Sequence, residues 1–122
     1  MRIKANNMKS LVKVLKALGD ETRLRILKIL QEREELCVCE IMQALNISQT
    51  RASRNLGILE DAGFVKDRRK GLWVYYSINR EKENEYHLVL SKLLKKWLNT
   101  ERIIKEDRKR LKKAVRLSKN YE

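Results

Sequence analysis

A chain of 122 residues, 43% of them apolar, can build one modest core and little more. Its formal net charge of +13 selects polyanionic partners, nucleic acid ahead of an anionic membrane surface. No apolar run approaches the ~20 residues that cross a bilayer, and lysines interrupt the N-terminus where a signal peptide would be uniformly apolar, so the expected location is the cytoplasm with no membrane partner.

With no proline, four glycines and 37% charged residues, helix should outweigh strand. Residues 1 to 19 carry Arg2, Lys4, Lys9, Lys13 and Lys16 without an acid. Met8, Leu11, Val12, Leu15 and Leu18 fall at helical spacing before Gly19. This is a basic amphipathic helix, suited to core or dimer packing, with a membrane surface as the alternative. Asp20 caps a second helix running to about residue 33, with Leu24, Leu27 and Leu30 inward and Glu32 to Glu35 closing it. In residues 39 to 65, Ile41, Met42 and Leu45 give a short helix and Asn46-Ile47-Ser48 a tight turn with Ser48 as N-cap. Ala52, Leu56 and Leu59 then give a longer helix ending at Gly63. That is the punctuation of a helix-turn-helix.

Phe64 and Val65 open an extended segment, KDRRKG is a polar turn, and LWVYYSI is rich in aromatic and β-branched residues, so a β-hairpin with a basic tip follows. The predicted fold class is therefore mostly α with a small β-hairpin: a winged helix-turn-helix. Residues 81 to 99 return to helical periodicity through Tyr86, Leu90, Leu93, Leu94, Trp97 and Leu98. Asn99 or Thr100 is expected to cap a last helix, with Ile104, Leu111 and Val115 on one face. Residues 1–100 form the winged helix-turn-helix domain and 101–122 a basic C-terminal helical extension, whose role as dimer helix, DNA contact or disordered tail the sequence leaves open.

Both cysteines of the chain, Cys37 and Cys39, stand in ELCVCEIMQAL, residues 35 to 45. Side chains at i and i+2 diverge on a regular helix but share a side in extended or helix-entry backbone, so the pair can converge on one ion. A disulfide is not expected: the compartment is reducing, and an extended i, i+2 pair lies about 6.6 to 7.2 Å apart at Cα, near the upper limit for a bridge. Thiolates select soft partners, which makes As(III), Sb(III), Cd, Zn and Cu(I) candidate effectors and excludes Mg and Ca. The plain alternative is two small buried hydrophobes. His87 is the only histidine and reads as ordinary surface or interface.

On the second helix of the motif, Gln49, Arg51, Arg54 and Asn55 are the candidates for reading base edges, and Ser48 and Ser53 for positioning phosphate. Arg68, Arg69 and Lys70, at the expected hairpin tip, reach an adjacent groove or the backbone. The alternative for all of these is a solvated polar face. One histidine, no glycine-rich phosphate loop and no paired acid and base outside exposed helices argue against an enzyme.

In the order LKALGDETRLRILKIL, ELCVCEI, ISQTRASRNLGILEDAGFV, RRKGLWVYYSI, residues 10 to 100 resemble the arsenic-repressor (ArsR/SmtB) family of winged-helix repressors. The resemblance implies a homodimer packed through the N- and C-terminal helices, operator binding by the metal-free form and release on loading. It also implies thiolate ligands where Cys37 and Cys39 stand. Some arsenic-sensing members carry a third cysteine where this chain has Met42, so one protomer encodes a two-coordinate site, to be completed by solvent, an exogenous thiol or the other subunit. The histidine- and aspartate-rich zinc site of other members cannot be built. The expected function is a metal(loid)-responsive repressor. The alternatives are a thiol-redox or persulfide switch on the same DNA module, and an effector-independent basic nucleic-acid-binding protein.

Overall fold

A computed structural model describes residues 7–81 and 85–116. The expectations for Arg2 and Lys4, for residues 82–84 and for 117–122 lie outside the described residues. Helix α1 (Met8–Leu18) starts where the Asn7 side chain accepts the Ser10 N–H, and α2 (Glu21–Leu30) where Asp20 accepts the Arg23 N–H. Helix α2 ends at Leu30, three residues short of expectation, since Leu30 is its last buried position and the polar residues after it have no face to bury. It supplies the centre of the core: Ile26, Leu27, Ile29 and Leu30 are all fully buried.

The sheet has three antiparallel strands where two were expected. Strand β1 (Leu36–Cys37) pairs with β3 (Trp73–Ile78), which also pairs with β2 (Val65–Lys70), giving the order β1-β3-β2. Between β1 and β2 run α3 (Val38–Leu45) and α4 (Gln49–Asp61), joined by a turn in which Asn46 adopts a left-handed φ of 56°. Asparagine tolerates that conformation better than branched residues do. Phe64, Leu56, Leu59, Ile41 and Leu45 close the core beneath this pair. The helix-turn-helix and the β2–β3 hairpin beside it form a winged helix, as the sequence implied.

Gly63 ends α4 at φ 90°, and a β-carbon there would meet His87 Nδ1 at 3.2 Å. His87 is accordingly not a surface residue. It lies buried in α5 (Glu85–Lys96), its ring edge-on to Phe64 at 6.2 Å, in the space that a glycine leaves open. At the same joint Glu60 hydrogen-bonds the Asp67 carboxyl of β2, and burial together with that neighbour pushes its pKa above the ordinary carboxylate value. A raised pKa gives stability that is complete below pH 4.5 and lost as the pH rises through the folded value. Glu60→Gln, which does not titrate, is expected to gain in stability relative to the parent as the pH rises from acid to neutral. Melting curves at both pH values check this; parallel profiles for the two proteins would count against a raised Glu60 pKa.

Helix α6 (Arg102–Lys113) packs against α2 and α3. Neither Asn99 nor Thr100 caps it: Glu101 is the N-cap without a side-chain bond, and Asn99 Oδ1 instead accepts Lys28 Nζ at 2.8 Å and Arg108 at 2.8 Å. Ile104 and Leu111 are buried as expected. Val115 lies beyond the helix and is exposed, and the inward position between them belongs to Asp107. That carboxylate is fully buried, with Arg25 donating to it through two nitrogens at 2.8 and 2.9 Å and Arg110 at 2.8 Å. The same guanidiniums reach the last carbonyls of α3, Arg25 to Leu45 at 2.9 Å and Arg110 to Ala44 at 2.8 Å, where a helix C-terminus favours cations.

Candidate functional site

Cys37 is held by two elements at once. Its place in β1, opposite Tyr75, fixes the backbone in an extended conformation, φ −79° and ψ 161°, and from there it serves as the N-cap of α3. Its sulfur accepts the Glu40 N–H at 3.4 Å while Glu40 Oε1 accepts the Cys37 N–H at 2.9 Å. This is a capping box in which a thiol stands where serine or threonine usually does. The chain turns from strand into helix between the cysteines, so their Cα atoms are 5.3 Å apart. The expectation that no bridge would form is corrected: Cys37 and Cys39 are joined by a disulfide, because the distance argument assumed extended backbone throughout.

A disulfide holds no metal ion. Two-electron reduction frees two thiols whose sulfurs already meet at one point, at the N-terminus of α3. Such a pair fits a thiophilic ion as two of its ligands. Among the described residues no group of three or more His, Cys, Asp and Glu side chains gathers, so the rest of the coordination would come from elsewhere.

Cys37 is buried, whereas half-buried Cys39 opens on a groove of about 770 Å³ between α3, the N-terminus of α4 and the hairpin. Met42, Gln49, Ser53, Arg69 and Trp73 share its lining. Met42, one turn beyond Cys39, brings a neutral thioether to that wall. The groove thus carries one sulfur of the disulfide, two polar residues of α4 and one basic residue of the hairpin.

Ser48 caps α4, accepting the Arg51 N–H at 3.1 Å, and Gln49, Ser53 and Arg54 project from its exposed face. Arg51 is exposed too, although one of its nitrogens donates to Thr22 Oγ1 at 2.8 Å. Asn55 departs from expectation. It is buried, its Oδ1 accepts Arg23 at 2.9 Å and its Nδ2 donates to the Arg51 carbonyl at 2.9 Å, so its amide is committed within the fold. Arg23 in turn reaches the Ala17 and Lys16 carbonyls at 2.6 and 3.1 Å, tying the end of α1 to α4. Thr50, which the sequence did not single out, is exposed one turn before Arg54.

The basic residues of the hairpin lie in strand β2. The tip is the two-residue turn of Gly71, at φ 62°, and exposed Leu72, because Lys70 already pairs with Trp73. Arg69 and Lys70 are exposed beside that turn. Arg68 points elsewhere: it forms a two-pronged ion pair with Glu35 at 2.8 and 2.9 Å and lies 4.7 Å over the Tyr75 ring. That pair holds the Glu35 carboxyl below its ordinary pKa.

Hydrophobic side chains remain exposed on two helices. On α1, Met8, Val12 and Leu15 face out, while Val14 and Ala17 enter the core; Val89 and Leu93 of α5 and Trp97 just beyond its end are exposed. Most of the stripe that marks α1 as amphipathic therefore does not serve this protomer's own core. Among the described residues no helix is long and apolar enough to cross a membrane.

The pattern described as "Bacterial regulatory protein, arsR family" matches residues 20–67. The arsenic resistance transcriptional regulator ArsR2 of Pseudomonas putida is 46% identical over 88 residues, which are 70% of this chain and 76% of that protein. In this relative and two others, ArsR1 of Pseudomonas putida and the arsenical resistance operon repressor of Escherichia coli, at 44 to 48% identity, the matched part is 53 to 76% of their length. Among solved structures, the homodimeric winged helix-turn-helix DNA-binding domain from Mycobacterium bovis is similar at a TM-score of 0.61 and 32% identity, over 77% of this chain and 86% of that one. The AntR antimony-specific transcriptional repressor is similar at 0.60 and 26%, over 76% and 80%. A pattern over the helix-turn-helix and a 46% identical regulator matched over three quarters of its length agree with the fold: the chain belongs to the ArsR family of bacterial regulatory proteins.

Proposed function

We propose that this protein is a homodimeric, metal(loid)-responsive transcriptional repressor. Reduced Cys37 and Cys39 take up As(III) or Sb(III) at the start of α3, and loading loosens α4 and the wing from operator DNA. The observation that carries this reading is the meeting of the two sulfurs beside a groove that Gln49, Ser53 and Arg69 also line. Arsenic resistance in the Pseudomonas putida relative and antimony specificity in the AntR neighbour support the class of effector. The exposed apolar face of α1 and α5 is the dimer surface, in keeping with the homodimeric neighbour. Gln49, Arg51 and Arg54 read bases, with Thr50 beside them; Ser48, Ser53, Arg69 and Lys70 hold phosphate. Asn55 serves by fixing Arg23, and Arg68 by fixing the base of the wing.

Ranking arsenite, antimonite, Cd, Zn and Cu(I) by the concentration that releases a duplex selected from a random pool by the reduced protein tests the choice of ion. As(III) and Sb(III) are expected first; release by Zn or Cd alone would overturn that choice. On the DNA side, Arg54→Ala is expected to weaken specific binding by about 1 to 3 kcal/mol and to relax sequence preference. Lys70→Ala is expected to weaken all duplexes alike and lower the salt slope by about one. Competition binding at several salt concentrations separates the two, and equal profiles would refute the division of roles.

The disulfide favours one second reading, a repressor switched by oxidation of the same pair, in which two thiols lose two electrons and two protons to form one bridge. In that case an oxidised protein, lighter by two hydrogens, loses DNA in the absence of any metal.

A further inference from the structure

The segment beyond α6 runs back along α3 to the thiols. Gln43 of α3 and Val115 exchange two hydrogen bonds, Nε2 to the Val115 carbonyl at 2.8 Å and the Val115 N–H to Oε1 at 3.1 Å. One residue later, Arg116 donates to Glu40 Oε1 at 3.1 Å, the oxygen that also accepts the Cys37 N–H. Its guanidinium lies 4.8 Å over the ring of Tyr75, and that ring also carries Arg68 of the wing at 4.7 Å. Arg116 therefore touches two structures at once: the capping box that holds Cys37, and Tyr75 of β3, a strand of the wing.

We propose that Arg116 is the residue that couples the thiol pair to the wing. The inference rests on the repressor reading above and deepens it. An ion held by both sulfurs is seated directly against the Glu40 N–H that Cys37 Sγ accepts, so loading bears on the capping box, and Glu40 is the acceptor that Arg116 shares with it. A shift of Glu40 moves the guanidinium, and the guanidinium is stacked on Tyr75. Buried Glu40 and buried Tyr75 leave little room for the shift to be absorbed locally. Helix α6 keeps this short arm in place through Asp107, Arg25 and Arg110, which fasten it to the other end of α3.

The test is the ratio of DNA dissociation constants with and without saturating arsenite, measured on the full-length protein after phosphine reduction. A ratio of about 5- to 150-fold is expected for the parent. Arg116→Ala is expected to cut it about 3- to 30-fold, and Arg116→Lys, which keeps the charge beside Glu40, to restore part of the loss. Arg102→Ala removes the same charge from the exposed end of α6, where it pairs with Glu106 one turn on, and is expected to leave the ratio at the parent value. An unchanged ratio in Arg116→Ala, or an equal fall in Arg102→Ala, overturns the coupling role. Hydrogen exchange of the wing amides on adding arsenite, without DNA, should change in the parent and not in Arg116→Ala. A parent that binds arsenite yet shows a ratio of one contradicts the repressor reading itself, and the coupling with it.

Discussion

Asp107→Ala is expected to lower the free energy of unfolding by about 3 to 5 kcal/mol, read as a fall in the urea midpoint at fixed protein concentration. The carboxylate is fully buried and receives two guanidiniums, Arg25 and Arg110. Removing it leaves Arg25, itself buried, with the Leu45 carbonyl as its remaining hydrogen-bond acceptor among the described residues. An arginine keeps its proton even when buried, so without Asp107 the guanidinium has no route to neutrality and its charge stays in the interior. Replacing both partners, Arg25→Met with Asp107→Leu, is expected to recover much of the loss, since no ion is then left unpaired. A fall below about 1 kcal/mol for Asp107→Ala would mean that the α6 junction opens to water and that the pair does not hold α6 to α2 and α3.

Cys37→Ser and Cys39→Ser, each alone, are expected to abolish release of DNA by arsenite while leaving metal-free binding within about twofold of the parent. That difference corresponds to about 0.4 kcal/mol. Serine at position 37 should be well tolerated, because a hydroxyl is a better N-cap acceptor than a thiol and the Glu40 N–H keeps a partner. Position 39 is half-buried on the groove wall and supports no cap. Each variant thus removes one sulfur donor without unfolding α3. Filter or anisotropy binding with an arsenite series checks this. Parent-like release in either variant would show that the pair does not act as a unit.

The helix-turn-helix was the most legible part of the chain. Ile41, Leu45, Ala52, Leu56 and Leu59 recur at helical spacing, and the turn between them is marked by Asn46, whose left-handed φ suits it, and by Ser48, whose hydroxyl does cap α4. The C-x-C pair was legible as a meeting point, but not its state: the backbone bends between the cysteines, and a two-residue strand is too short for any periodicity to reveal. The Cys-x-x-Glu spacing of Cys37 and Glu40 was a readable sign of the capping box once thiol is allowed in place of hydroxyl.

Asn55 was misread because a polar residue on a DNA-facing helix looks exposed; its burial follows from Arg23, which lies 32 residues away. His87 was misread for the same kind of reason, since the room for its ring is made by Gly63. Ile104 and Leu111 of α6 were legible from their spacing, but its central contact was not, because the centre of its inward face is an aspartate whose partners come from α2 and from α6 itself. Position alone places Arg68 at the wing tip, while Glu35, distant in sequence, and Tyr75, its cross-strand neighbour in the hairpin, draw it to the base.

The account stands most directly on one titration: fluorescence anisotropy of a labelled operator duplex bound to the phosphine-reduced protein as arsenite is added. The predicted result is a fall to the value of free DNA, complete near one arsenite per protomer and reversed by a competing dithiol. Anisotropy that stays at the bound value through saturating arsenite, with both thiols shown to be reduced, would contradict the claim that filling the sulfur pair releases the duplex.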